Sequence, residues 1–250
     1  MNSLAASPLR PLLVSTLLSV VPALLLVTGL AAGIGELFRL SPGYTSQCLA
    51  VFAGLLLALL PFLPQHLPLE HFGAANRVTL LRAGIAALVA GLIGRFELPP
   101  SQSWLVAALA GLALLLDGID GWLARRDGLE SRFGARFDLE VDALFIFVMA
   151  VLVYQSGKAG GWVLLSGAMR YGFVVLGYAL PWLNQPLPPR KRRQTVCVIQ
   201  ATVLVVCLTP LLVPPWTTVL AALALGLLTL SFAVDVVWLA RYSTPEENAR

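Results

Sequence analysis

Four aspartates are the residues best placed to do chemistry. Asp117 and Asp120 are three apart, and Asp138 and Asp142 four apart, within LLLDGIDGWLARRDGLESRFGARFDLEVD (residues 114–142). On helices each spacing projects both carboxylates from one face. Leu112–Leu116, just before the first pair, is apolar. Carboxylates at membrane depth are costly unless paired or liganded, so they mark function by default. Solvation at helix ends is the competing reading; it suits Asp127 and Glu130 in the intervening loop but not Asp117 and Asp120. That loop is short, so its two helices are antiparallel neighbours and the four acids can converge. Converging carboxylates repel one another without a cation, and an all-oxygen set suits Mg²⁺, Mn²⁺ or Ca²⁺ rather than copper or zinc. Two ions about 3.5–4 Å apart would suit a phosphoryl-type reaction, and Arg125 can pair with a phosphate. Gly121 and Ala124 share the face of Asp117 and Asp120. Gly134 lies one turn before Asp138. Small residues there let a ligand or another helix approach the backbone.

The elements that must position these acids are membrane helices. Of the 250 residues, 58% are hydrophobic and 12% charged, about half the roughly 25% usual in soluble domains. Mean hydropathy is +0.83. This excludes an ordinary soluble enzyme, a disordered chain and a disulfide-stapled secreted domain, and leaves an integral membrane protein. Cys48, Cys197 and Cys207 form no C-x-x-C pair and read as apolar packing residues. Apolar stretches cover roughly 11–34, 46–63, 76–94, 103–124, 137–155, 161–182, 195–213 and 216–240, each near the length a spanning helix needs. The first exceeds the 7–15 residues of a signal-peptide core and reads as a retained helix. With eight spans, 12 of the 17 Lys and Arg residues fall on the side of the N-terminus. Only Arg39, Arg95 and Lys158 fall on the other side, and Arg82 and Arg170 lie within spans. The bias makes the first side cytoplasmic, with both termini and the acid cluster facing it.

The residues Asp117, Asp120, Gly121, Ala124, Arg125, Gly134, Asp138 and Asp142 match D-x2-D-G-x2-A-R-x8-G-x3-D-x3-D at every fixed position. This resembles the signature of the CDP-alcohol phosphotransferases, membrane enzymes of phospholipid synthesis. Upstream, Asn76, Thr79 and Arg82 fit the N-x-x-T-x-x-R that opens that family's first core helix, with Ala75 where a Pro often stands. Taken alone, Asn76 reads as a helix N-cap, and Arg82 as a buried cation needing an anion.

The resemblance implies an all-α integral membrane fold, a six-helix core over residues 64–250. A two-helix extension, residues 1–63, precedes it, making eight transmembrane helices in all. It implies that Asp117, Asp120 and Asp138 bind Mg²⁺ or Mn²⁺ with Asp142 at the metal, and that Asp142 is the base that deprotonates the acceptor. Asn76, Thr79, Gly121, Ala124, Arg125 and Ser131 match the positions around the CDP moiety. The reaction implied is transfer of the phosphatidyl group of CDP-diacylglycerol to a small hydroxyl acceptor with release of CMP. A homodimer in a bacterial-type inner membrane is expected, with no nucleic-acid partner. A CDP-aminoalcohol donor acting on diacylglycerol fits the same motif, which reads the CDP part and not its substituent.

The acceptor signals are weaker. Arg170 is mid-span and needs a partner; with Arg193 it is the candidate for binding an anionic acceptor. The rest of Arg190–Arg193 reads as a cytoplasmic anchor at lipid headgroups. RKRRQT resembles the basic-then-Thr segment of phosphatidylglycerophosphate synthases, although the Glu they often carry after the counterpart of Arg170 is Tyr171 here. Glycerol 3-phosphate or another polyol phosphate is therefore among the acceptors to test. Asp235 is a lone acid in the last span with no assigned role. His66 and His71, five apart in a loop, lack the helical i,i+4 spacing of a metal pair. A proton- or cation-coupled transporter would also place carboxylates in a membrane, but it explains neither Gly121, Ala124 and Arg125 nor the short loop.

Overall fold

Long apolar runs broken by proline and glycine clusters fold into helices, because only a helix satisfies every backbone polar group within one apolar segment. The computed structural model describes residues 9–95, 99–127, 130–185 and 191–242. Among these are eight α-helices and no strand: α1 (Leu9–Leu37), α2 (Gly43–Leu59), α3 (Ala74–Ala90), α4 (Pro100–Asp127), α5 (Arg132–Gln155), α6 (Leu165–Ala179), α7 (Lys191–Leu208) and α8 (Trp216–Tyr242). They coincide with the eight apolar stretches.

Among the described residues, five segments are long and apolar enough to cross a membrane: Leu9–Leu37, Gly43–His66, Pro100–Leu123, Gly161–Ala179 and Trp216–Arg241. The remaining helices fall short on different grounds, α3 on length and α5 and α7 on the charges they carry. The polar residues on all three are the ones of chemical interest. α3 spans 17 residues and holds Asn76, Thr79 and Arg82. α5 opens with Arg132, Arg136, Asp138, Glu140 and Asp142, and α7 with Lys191, Arg192 and Arg193. Elsewhere large apolar side chains face outward, such as Leu18 (71% exposed) and Leu115 (71%), as in a protein solvated by lipid. Thr16, Thr28 and Thr229 donate to the carbonyl four residues earlier in their own helices, so those hydroxyls need no water.

The chain divides into two compact units, one of Met1–Arg95 with Leu105–Phe145, the other of Phe96–Trp104 with Ile146–Arg250. In the first, α1 and α2 pack on each other and on α3. Ala83–Ala90 is buried throughout, as expected of a helix apolar on all sides. In lipid such packing rests on close van der Waals approach more than on hydrophobic transfer. Gly91 shows this, since a Cβ there would come 2.7 Å from the Tyr44 ring. The Tyr44 hydroxyl donates to the Leu88 carbonyl (2.9 Å), and the Gln47 amide to the carbonyls of Ala90 and Ile93. A 3₁₀ turn, Leu60–His66, leads out of α2, and its Phe62 lies under the Arg136 guanidinium of α5.

In the second unit, α6, α7 and α8 pack together. The buried Gln200 amide donates to Ser166 Oγ (3.0 Å). Lys158 Nζ donates to the carbonyls of Thr209 and Leu212. The Thr217 and Thr218 hydroxyls donate to the Lys158 carbonyl in return. This ties the α5–α6 turn to the α7–α8 turn.

Candidate active site

The acid cluster lies in the first unit. Arg82, on α3, is its centre. Its guanidinium meets Asp117 of α4 (NH2 to Oδ1, 2.6 Å), Asp138 of α5 (NH1 to Oδ1, 2.6 Å) and Asp142 of α5 (NH2 to Oδ1). The arginine side chain is 5% exposed, whereas those of Asp117, Asp138 and Asp142 are 25%, 42% and 34% exposed. The cation is therefore sunk beneath the acids, and the acids keep an accessible side. With every group ionised, three carboxylates and one guanidinium sum to a charge of −2. Ligand atoms of the three acids lie within 4.8 Å of one another. Accessible oxygens, excess negative charge and convergence fit a hard divalent cation.

Local sequence explains the convergence. Phe133, Phe137 and Val141 are four apart along α5 and all buried. Phe72, Phe133 and Phe137 form a cluster with ring centroids 5.9–6.3 Å apart. Burying that stripe turns Asp138 and Asp142, one position on in each case, beside it toward Arg82. Gly134 permits the approach of α3 to α5: a Cβ there would lie 3.0 Å from Asn76 Oδ1 and 3.2 Å from Ser131 Oγ. The small residue expected one turn before Asp138 thus makes room for another helix.

Asn76 is not an N-cap. α3 begins at Ala74 after Gly73, whose φ of 81° suits only glycine comfortably. Asn76 sits a turn inside, buried, its Nδ2 donating to the Phe72 carbonyl (2.6 Å). The buried Thr79 donates to the Ala75 carbonyl (3.2 Å). Gly121 lies one turn beyond Asp117 on α4. The side chains of Asp120, Ala124 and Arg125 lie outside the described residues, as does Arg190. Ser131 caps α5, its Oγ accepting from the Gly134 N–H (2.9 Å). Arg170 and Arg193 belong to α6 and α7 of the other unit.

Two roles escaped the sequence. Arg82 reads there as a cation in need of an anion, but only packing reveals three shared partners. His66 reads as a loop histidine, yet it is 1% exposed. Its Nδ1 lies 2.7 Å from Ser131 Oγ and its Nε2 2.9 Å from the His71 carbonyl. Its only sequence signal is a titratable residue at the end of an apolar, proline-bounded run. Asp235 also acquires partners, Arg192 (2.6 Å) and Arg193 (4.0 Å). Arg192 is thus held inside the protein rather than spent wholly on lipid headgroups.

A family model described as CDP-alcohol phosphatidyltransferase matches residues 72–240. No curated protein and no solved structure matches the chain.

Proposed function

The chain belongs to the CDP-alcohol phosphatidyltransferase family, and from that premise we propose that it transfers the phosphatidyl group of CDP-diacylglycerol to a small hydroxyl acceptor, releasing CMP. Membership makes it a membrane transferase acting on CDP-alcohol substrates. The observation that carries the finer reading is the convergence of Asp117, Asp138 and Asp142 over the buried Arg82.

Asp117, Asp120, Asp138 and Asp142 would hold Mg²⁺ or Mn²⁺. Held there, such a cation would supply charge neutralisation for the diphosphate and for the departing CMP. Arg82 keeps the acids gathered, engaging one oxygen of Asp142. The other Asp142 oxygen serves as the general base for the acceptor hydroxyl. The acceptor oxygen bonds to the lipid-bearing phosphorus, the bond from that phosphorus to CMP breaks, and the acceptor proton passes to Asp142. Asn76, Thr79, Gly121, Ala124, Arg125 and Ser131 contact the CDP moiety. Arg170 and Arg193 bind an anionic acceptor such as a polyol phosphate. The active site and both termini face the cytoplasm of a bacterial-type inner membrane, in a homodimer whose protomers each carry eight spans, six in the core of residues 64–250 and two in the extension of residues 1–63.

The test is CMP release from CDP-diacylglycerol by purified protein with Mg²⁺ or Mn²⁺, across glycerol 3-phosphate, inositol, inositol phosphate, serine and choline. Release dependent on one acceptor establishes the reaction and names its product. Binding of the CDP-lipid without release would move the assignment to a CDP-aminoalcohol donor, tested with diacylglycerol as acceptor.

A further inference from the structure

We propose that His66 is a positioning residue that sets the hydrogen-bonding polarity of Ser131, so that Ser131 reads a donor group on the nucleoside of the substrate rather than a phosphate oxygen. This rests on the reading of Ser131 as a CDP contact.

The His71 carbonyl can only accept, so His66 Nε2 carries a hydrogen toward it. In a neutral imidazole Nδ1 is then an acceptor. Ser131 Oγ, 2.7 Å away, must donate its hydroxyl hydrogen to that nitrogen. Ser131 Oγ also accepts from the Gly134 N–H at 2.9 Å. A serine hydroxyl has one hydrogen and two lone pairs. The hydrogen and one lone pair are committed, and the remaining lone pair can only accept. A phosphate oxygen, also an acceptor, has nothing to offer it. A ribose hydroxyl or the exocyclic amine of cytosine does.

The surroundings support a ligand there. Ser131 and His66 line a cavity of about 440 Å³ together with Gln65, Glu130 and Arg132. The imidazole is held against rotation by burial and by the edge of the Phe133 ring, at 5.9 Å between centroids. The 3₁₀ turn after α2 ends on His66, so the N-terminal helix pair delivers this residue to the cap of the helix bearing Asp138 and Asp142. The extension is thereby connected to substrate reading as well as to packing.

The test is titration of the full-length protein in detergent with CDP, 2′-deoxy-CDP and UDP at pH 8. Wild type should prefer CDP over whichever analogue lacks the donor. A loss confined to 2′-deoxy-CDP assigns the ribose hydroxyl, and one confined to UDP assigns the cytosine amine. In His66→Leu the freed hydroxyl can rotate, and in Ser131→Ala it is gone. Both should shrink the preference by about threefold to tenfold, the range of one neutral hydrogen bond. His66→Gln, whose amide offers one acceptor and one donor, should restore part of it. A purely structural tether would weaken all three ligands equally, so unchanged ratios in His66→Leu and Ser131→Ala overturn the proposal. Equal wild-type binding of all three nucleotides overturns it as well. A wild-type protein that binds no CDP removes both this inference and the function it rests on, whereas intact CDP binding with unchanged ratios removes this inference alone.

Discussion

Arg82 with its three aspartates and Arg192 with Asp235 are both arginine–carboxylate groups in membrane helices, and their exposures are inverted. In the first the cation is buried (5%) and the acids are 25–42% exposed; in the second the acid is 9% exposed and the arginines Arg192 and Arg193 are 32% and 29% exposed. Arg192 also donates to the Ser231 carbonyl, so that group is a closed tie between α7 and α8. Among the described residues the Arg82 group has more acid than base and presents the acid outward. Excess, accessible carboxylate is the state of a site that receives a cation. A sealed-in acid with no excess of acid over base is the state of a structural link. The physics of each pair is the same, and stoichiometry and exposure separate the roles.

The largest effect that would sharpen this contrast is metal removal. A chelator should abolish CMP release, and Mg²⁺ or Mn²⁺ should restore it, while melting of the Arg192–Asp235 region by hydrogen exchange stays unchanged. Full activity in chelator would break the comparison. Next, Asp142→Asn should lower the turnover rate by about 10²–10⁴-fold, the range of a lost general base, with the fold retained. Asp235→Asn should leave the metal requirement and CDP-lipid binding unchanged, because that acid touches neither, and any loss should appear in the KM for the acceptor that Arg193 binds.

Stability should also distinguish the two. Arg82→Gln leaves three neighbouring carboxylates without their shared cation. We expect a loss of about 2 kcal/mol, below the ~3–5 of a fully buried pair because the acids are partly exposed. Mn²⁺ should recover much of the melting temperature, since a second cation replaces the first. Arg192→Gln should cost about 1 kcal/mol, discounted for its exposure, and Mn²⁺ should recover none of it. Equal rescue in both variants would mean the ion acts elsewhere. The smallest effect expected is for Gly134→Ala, which would place a methyl 3.0 Å from Asn76 Oδ1. A shift of a few tenths of an ångström between α3 and α5 should raise the KM for the CDP-lipid more than it lowers the turnover rate.

What the sequence by itself determined is what repeats locally. Apolar run lengths located the helices, five segments of which among the described residues are long and apolar enough to span, because each needs only its own backbone hydrogen bonds and a matching environment. Helical spacing put Asp138 beside Asp142 on one face, and the motif named the acids before any contact was visible. Tertiary structure alone decided the partners. Arg82 lies 56 residues from Asp138, His66 65 from Ser131, and Arg192 43 from Asp235. No periodicity reaches so far, since such pairs form only after helices have packed and their stripes have been buried. The same reason explains the Asn76 cap that failed: Gly73, free to adopt a positive φ, started α3 three residues earlier. Asn76 was thereby carried into the contact with Gly134. Chemistry was written in residue types and spacing, but which acid meets which cation, and with which face open, came from packing.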